Sequence, residues 1–216
     1  MKWLFDPASI QGVAMAGDWW VFIAAGTFVG IYVYAAIFWC LFRYRRRDRS
    51  AASFERNTPL ELTYTIIPFL MVLGLFAKTY AVERPVDHVA GRPQLEVGVL
   101  AFRWSWRFHY IGTNVVSAGT PRNPPTLYLP LERLTEFDLT TSDVNHSFWV
   151  PAFLFKRDAI PGMTNVFDIT PNRLGTFLGR CAQYCGLDHA YMTFVVKVVP
   201  GAAFDRYLAS GGKALP

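Results

Sequence analysis

No Cys-x-x-Cys-His run occurs among the 216 residues, which excludes a c-type heme attached to this stretch of chain. Charge is scarce, at 17% against 52% hydrophobic residues, a balance that leans away from a purely soluble protein. No cleavable signal peptide is evident: Lys2 is the one early cation, Asp6 and Asp18 follow, and the first apolar run is too long for a signal core. Nor does the formal net charge of +5 mark a nucleic-acid-binding surface. Five arginines against one acid crowd into Arg43-Tyr44-Arg45-Arg46-Arg47-Asp48-Arg49, while from Glu83 onward 13 Lys+Arg meet 11 Asp+Glu.

That basic surplus reads as topology. Trp19–Phe42 is uncharged for 24 residues, a helix of roughly 36 Å against a hydrocarbon core of about 30 Å. Trp19, Trp20 and Trp39 lie near its ends, where amphipathic rings favour the interface. A buried core helix, the other reading, would seldom stay uncharged so long. Cys40 falls inside this run, as a small lipid- or helix-facing residue. Between Glu61 and Lys78 only 16 residues are uncharged. Lys78 can snorkel, however, which extends the span to Val82, and transmembrane helices tolerate a proline such as Pro68. The short arginine-rich loop between the runs stays cytoplasmic under the positive-inside rule. The expected organisation is an outer tail 1–18, a hairpin 19–82 with spans about 19–42 and 61–82, and an outer domain 83–216.

Beyond about residue 93 the pattern changes to short β-type runs: Gln94–Phe102, Thr126–Pro130, Glu136–Thr141, Val166–Thr170, Thr176–Arg180 and Thr193–Val199. Turn signals such as the stretch 118–125, AGTPRNPP, separate them, and no helix-length periodic segment interrupts them. This predicts an antiparallel sandwich or barrel. The fold class is membrane-anchored all-β: a two-helix hairpin followed by a Greek-key β-sandwich.

Cys181, Cys185, His189 and Met192 fall within twelve residues, and His146 stands upstream. Thiols, imidazoles and a thioether are soft ligands that favour copper over harder metals. Cys185, His189, Met192 and His146 alone make the set that binds one copper in a blue-copper electron carrier. Cys181 is surplus to that set, and a second thiolate four residues earlier can bridge two coppers into a binuclear, electron-delocalised centre. Two Cys and two His also suit a tetrahedral zinc, a reading that leaves Met192 without a role. A Cys181–Cys185 disulfide suits an oxidising compartment and leaves both histidines unexplained.

Along nearly its whole length the chain resembles subunit II of heme-copper respiratory oxidases of the cytochrome c oxidase type. Besides the copper loop, the residues that carry the resemblance are the segments 143–151 (DVNHSFWVP), 156–162 (KRDAIPG), 103–106 (RWSW) and 61–68 (ELTYTIIP). The resemblance implies a cupredoxin domain with a binuclear copper A centre of two copper ions. Cys181 and Cys185 would bridge them, His146 and His189 would each bind one, Met192 would complete one sphere, and Gln183 would lend its backbone carbonyl to the other. Many family members carry Glu in place of Gln183, and that side chain helps bind magnesium at the subunit I interface. The neutral amide is a weaker ligand for so hard a cation, which puts magnesium here in doubt.

The resemblance also implies roles outside the copper loop. Trp104 would lie over the centre and accept the electron from cytochrome c, with Trp106 on the same strand face and Ser105 in place of the usual aromatic between them. Without the resemblance both tryptophans read as sandwich core. Glu61 matches a glutamate at the mouth of a proton channel into subunit I; by itself it reads as an interfacial charge. Glu132, Glu136, Asp138 and Asp143 could form an acidic docking face near His146, interrupted by Arg133.

The implied function is electron input to an aerobic terminal oxidase, from cytochrome c to heme in subunit I, where oxygen is reduced to water. No histidine cluster lies in the two spans, so the oxygen-reducing site, with heme and copper B, would belong to subunit I. The implied partners are subunits I and III, cytochrome c, copper-insertion chaperones and membrane lipid, with no nucleic acid. The implied location is a bacterial inner membrane, with the N-terminus and the cupredoxin domain on the outer face. The equivalent subunit of a copper-A-containing nitric oxide reductase is the alternative. A copper-delivery protein is a third reading. A quinol oxidase subunit II shares the architecture but lacks the copper ligands retained here.

Overall fold

The computed structural model describes residues 6–45 and 56–213. Arg46, Arg47 and Arg49 of the basic loop, on which the predicted orientation rests, lie outside the described residues. Two compact units result, Gly17–Glu83 in one and the segment through Ala16 together with Arg84 onward in the other.

Helix α1 spans Ile10–Arg43 and α2 spans Thr58–Asp87. The first starts well ahead of the uncharged run because Ser9 caps it: its Oγ accepts the Gly12 N–H at 2.9 Å. Asn57 caps α2, its Oδ1 accepting the Leu60 N–H at 3.2 Å. Glu61 reaches back to accept the Asn57 N–H at 3.3 Å, a reciprocal closure of the capping-box kind. Pro68 sits inside α2 without ending it. Within the most apolar stretch of each helix no residue is buried, and Phe28, Ile31, Phe69 and Leu70 are all exposed. A core helix would bury such a surface, so both have the length and the covering of membrane spans. Inside this unit Lys78 Nζ pairs with Asp18 at 3.3 Å, and Thr79 donates to the other Asp18 oxygen.

The second unit is a sandwich of two five-stranded sheets. β1 (Leu95–Phe102), β2 (Ser105–Tyr110), β3 (Val116–Ala118), β5 (Thr135–Thr141) and β8 (Asn165–Ile169) form one, in the order β3-β2-β1-β5-β8. β4 (Thr126–Pro130), β6 (His146–Val150), β7 (Phe155–Ala159), β9 (Gly175–Cys181) and β10 (Thr193–Val199) form the other, in the order β4-β10-β9-β6-β7. The sequence predicts an antiparallel sandwich, yet each sheet holds one parallel pair, β1 with β5 and β4 with β10. The chain changes sheet after β3, β4, β5, β7 and β8, so strands far apart in sequence become neighbours.

Val97, Val99, Phe137, Leu139, Phe167 and Ile169 alternate inward and meet Phe148, Phe194 and Val196 from the other sheet. Phe148 and Phe194 stack at 4.8 Å, and Trp106 meets Phe194 edge-on at 5.3 Å. A short helix that the sequence does not announce, α3 (Gly201–Ala209), ends the domain. Its Phe204 and Tyr207 pack on Tyr110, and Asp205 takes Arg133 in a two-point ion pair at 2.6 and 2.9 Å. Two inward side chains are too few to show helical periodicity.

Candidate metal centre

Three connections meet to build the site: the β1–β2 turn, the β5–β6 loop and the long β9–β10 loop. His146 opens β6 and is fully buried. Phe148, two residues on, pairs with Cys181 at the end of β9, which sets His146 and Cys181 on neighbouring strands. Backbone bonds fix the register: Cys181 N–H donates to Met192 at 2.9 Å, and Ala182 N–H to Ser147 at 3.0 Å.

The donor atoms form a chain of contacts. Cys181 Sγ lies 3.8 Å from His146 Nδ1, 3.9 Å from Cys185 Sγ and 3.1 Å from the Gln183 carbonyl oxygen. Cys185 Sγ in turn lies 3.5 Å from His189 Nδ1 and 3.7 Å from Met192 Sδ. The donor atoms of His146, Cys181 and Cys185 all lie within 4.8 Å of one another, with His189 beyond that trio beside Cys185. Metal–thiolate bonds of about 2.3 Å put two sulfurs on one tetrahedral ion about 3.8 Å apart, so the sulfur separation fits thiolates that share metal. Both thiols are free, so the disulfide reading is not the arrangement found. Met192 is fully buried with its sulfur among the donors, a placement the zinc reading does not use.

Asp143 completes the surroundings of His146. Its Oδ1 lies 2.9 Å from Nε2, and its Oδ2 accepts Arg103 N–H at 2.8 Å. An ionised carboxylate only accepts, so Nε2 carries the proton and Nδ1 turns its lone pair toward the sulfurs. Burial opposes charge on Asp143, but the His146 imidazole and the N–H groups of Arg103 and Val144 hold it far below the usual carboxylate range. Burial pushes the Cys185 thiol up to about 12, and the adjacent Cys181 adds to the shift. Cys181 is also desolvated, yet its contacts with the His146 imidazole and the Ser147 backbone bring it below an ordinary thiol. Burial and the neighbouring sulfur thus oppose ionisation of Cys185 unless a cation compensates the charge.

Trp104 is not on a strand face with Trp106. Phe102 pairs with Ser105, which leaves Arg103 and Trp104 as the tight turn between β1 and β2. The half-buried indole donates its Nε1–H to the Cys185 carbonyl at 3.1 Å, whereas Trp106 is fully buried core. Gln183 is exposed beside the donor set. Glu61 belongs to the hairpin unit as part of the α2 cap. Asp143 reads from the sequence as a docking acid; its place three residues before His146 was the signal for a partner of the imidazole. Arg133, which interrupts that acidic run, is tied to Asp205.

Residues 122–199 match the family profile described as cytochrome C oxidase subunit II, periplasmic domain. A probable cytochrome c oxidase subunit 2 from Streptomyces avermitilis is 37% identical, with 89% of this chain and 72% of that protein covered. A cytochrome c oxidase subunit 2 from Mycobacterium bovis is 30% identical, with coverage of 86% and 68%. Among solved structures, the periplasmic domain of subunit II of cytochrome oxidase (CoxB) from Bradyrhizobium japonicum superposes with a TM-score of 0.51 at 26% identity, over 57% of this chain and 96% of that one. Sequence relationship and shared sandwich together place the chain in the cytochrome c oxidase subunit II family.

Proposed function

We propose that this chain is the electron-input subunit of a cytochrome c oxidase, taking single electrons from cytochrome c for transfer to heme in subunit I. The observation that carries the reading is the unbroken run of contacts, 3.5 to 3.9 Å, linking His146, Cys181, Cys185, His189 and Met192. Cys181 and Cys185 would bridge two copper ions, His146 and His189 would bind one each, and Met192 and the Gln183 carbonyl would complete the set. Such a pair supplies one-electron redox chemistry when bound.

The chain's own residues prepare that chemistry. Asp143 holds the His146 tautomer, and the packed aromatics around Trp106, Phe148 and Phe194 keep the strands that carry the donors from shifting. Trp104, in contact with the Cys185 carbonyl, is the reading's point of electron uptake. Glu61 would serve proton delivery toward subunit I. The neutral Gln183 amide offers magnesium a poorer ligand than a carboxylate. The spans 19–42 and 61–82 would cross a bacterial inner membrane, with the tail 1–18 and the domain 83–216 outside. Subunit III, lipid and copper-insertion chaperones complete the partners proposed.

The test is Cys181→Ser in the full chain. It removes the bridging sulfur but leaves Cys185, His189, Met192 and His146, so the copper signal should change from delocalised mixed-valence to that of a single ion. A mixed-valence paramagnetic spectrum surviving in the variant, or zinc in the wild-type site, would overturn the assignment.

A further inference from the structure

We infer that Gly186 is a positioning residue for electron uptake: its bare α-carbon is the seat that lets the Trp104 indole lie against the Cys185 carbonyl. The inference rests on the reading of Trp104 given above. Gly186 has φ +116, in the region that L side chains avoid. A Cβ there would stand 3.3 Å from both Nε1 and Cζ2 of Trp104 and 3.6 Å from Cε2. Carbon atoms pack best at about 3.5–4.0 Å, so the ring would have to move.

The ring is not free to move without loss. Its Nε1–H is committed to the Cys185 carbonyl at 3.1 Å. Its backbone is held one residue earlier, where Arg103 gives Asp143 both N–H and Nε–H, at 2.8 and 3.2 Å. Asp143 is the same carboxylate that orients His146. The turn and the indole edge are therefore both anchored, and a side chain at Gly186 would press between them. Because the accepting carbonyl belongs to a donor cysteine, one hydrogen bond connects the half-buried ring to the metal-binding residues.

Strain at φ +116 and pressure on the indole can be separated, because only the second requires the indole. The full chain, metal-free in detergent and labelled with fluorotryptophan, reports ring position by fluorine NMR, the Trp104 resonance being the one lost in Trp104→Phe. Gly186→Ala should shift that resonance while the other tryptophans hold theirs. In the assembled oxidase, stopped-flow oxidation of reduced cytochrome c should slow by roughly tenfold, less than the about 10²-fold that a 1 Å misplacement can cost, with the copper spectrum retained. Adding Gly186→Ala to Trp104→Ala should slow uptake no further, the non-additivity expected of two residues acting through one contact. An unmoved Trp104 resonance, an unchanged uptake rate in Gly186→Ala, or an equal added loss in the Trp104→Ala background would overturn the inference. So would loss of metal from Gly186→Ala in both backgrounds. An unchanged uptake rate in Trp104→Ala alone would instead overturn the reading of Trp104, and the resonance would still decide whether Gly186 seats the ring.

Discussion

Asp143 gathers more donors than any other residue around the centre. Val144 N–H and His146 Nε2 reach Oδ1 at 2.7 and 2.9 Å, and Arg103 N–H and Nε–H reach Oδ2 at 2.8 and 3.2 Å. Asparagine in its place has nearly the same shape but turns one end into a donor, which must then face an N–H of either His146 or Arg103. Asp143→Asn should therefore weaken metal binding by about 10- to 100-fold, the usual cost of losing the partner that orients a ligating histidine. Chelator competition on the full chain measures it, and an unchanged affinity would show that core packing alone holds His146. The donor residues themselves were legible in the sequence because ligand chemistry is a property of side-chain type. Asp143 was not, because an exposed docking acid and a half-buried acceptor look alike until the loop is folded.

At the scale of elements, α2 carries a residue with one observed duty and one proposed. The Glu61 carboxylate closes the helix cap by accepting the Asn57 N–H, and the proposal gives it proton delivery as well. Glu61→Gln separates them, since an amide oxygen still accepts the N–H but the side chain no longer titrates. The expected outcome is slower oxygen consumption with unchanged thermal stability. Unchanged turnover would leave Glu61 as a cap alone.

β9 gives a second case. A Cβ at Gly179 would fall 2.1 Å from the ring of Phe194 on β10, and Phe194 is fully buried among aromatics. Gly179→Ala should destabilise the domain by about 1–3 kcal/mol, the range for overpacking, read as a lower denaturant midpoint at unchanged slope. Strands such as β1 and β10 were legible because burial alternates along them. β4 and β6 are each buried at four of five positions and lack that alternation; beside the turn signals at 118–125 β4 was still legible, whereas β6, which carries His146, was not.

For the whole molecule, the outer domain is not closed by its own contiguous sequence. Ala8 N–H donates to Ala152 at 2.7 Å, Ile10 N–H to Thr170 at 3.0 Å, and Asn172 N–H returns to Ala8 at 3.2 Å. Gln11 accepts the Thr170 N–H, and Asp6 pairs with Arg173. Ser9 is the centre of this seam, fully buried, donating to the Phe153 carbonyl and capping α1 at once. Ser9→Ala strands two backbone groups and should cost the domain about 1–3 kcal/mol. Calorimetry of the full chain should show the domain's transition lowered; an unmoved transition would mean that the segment merely rests on the sandwich.

Composition and order by themselves determined where the chain can cross a lipid layer and which residues can bind soft metal. Both are local matters, since a span needs only an unbroken apolar length and a ligand needs only its donor atom. The tertiary structure alone decided that each sheet would hold a parallel pair, that residues 6–11 would complete the outer domain, and that Trp104 would leave the strand to rest on Cys185. These depend on segments far apart in sequence: the bonds from Arg103 to Asp143 and from Trp104 to Cys185 span 40 and 81 residues. Contacts of that reach form only when two sheets bury a common core, and no local pattern of residue types records which loops the core will bring together.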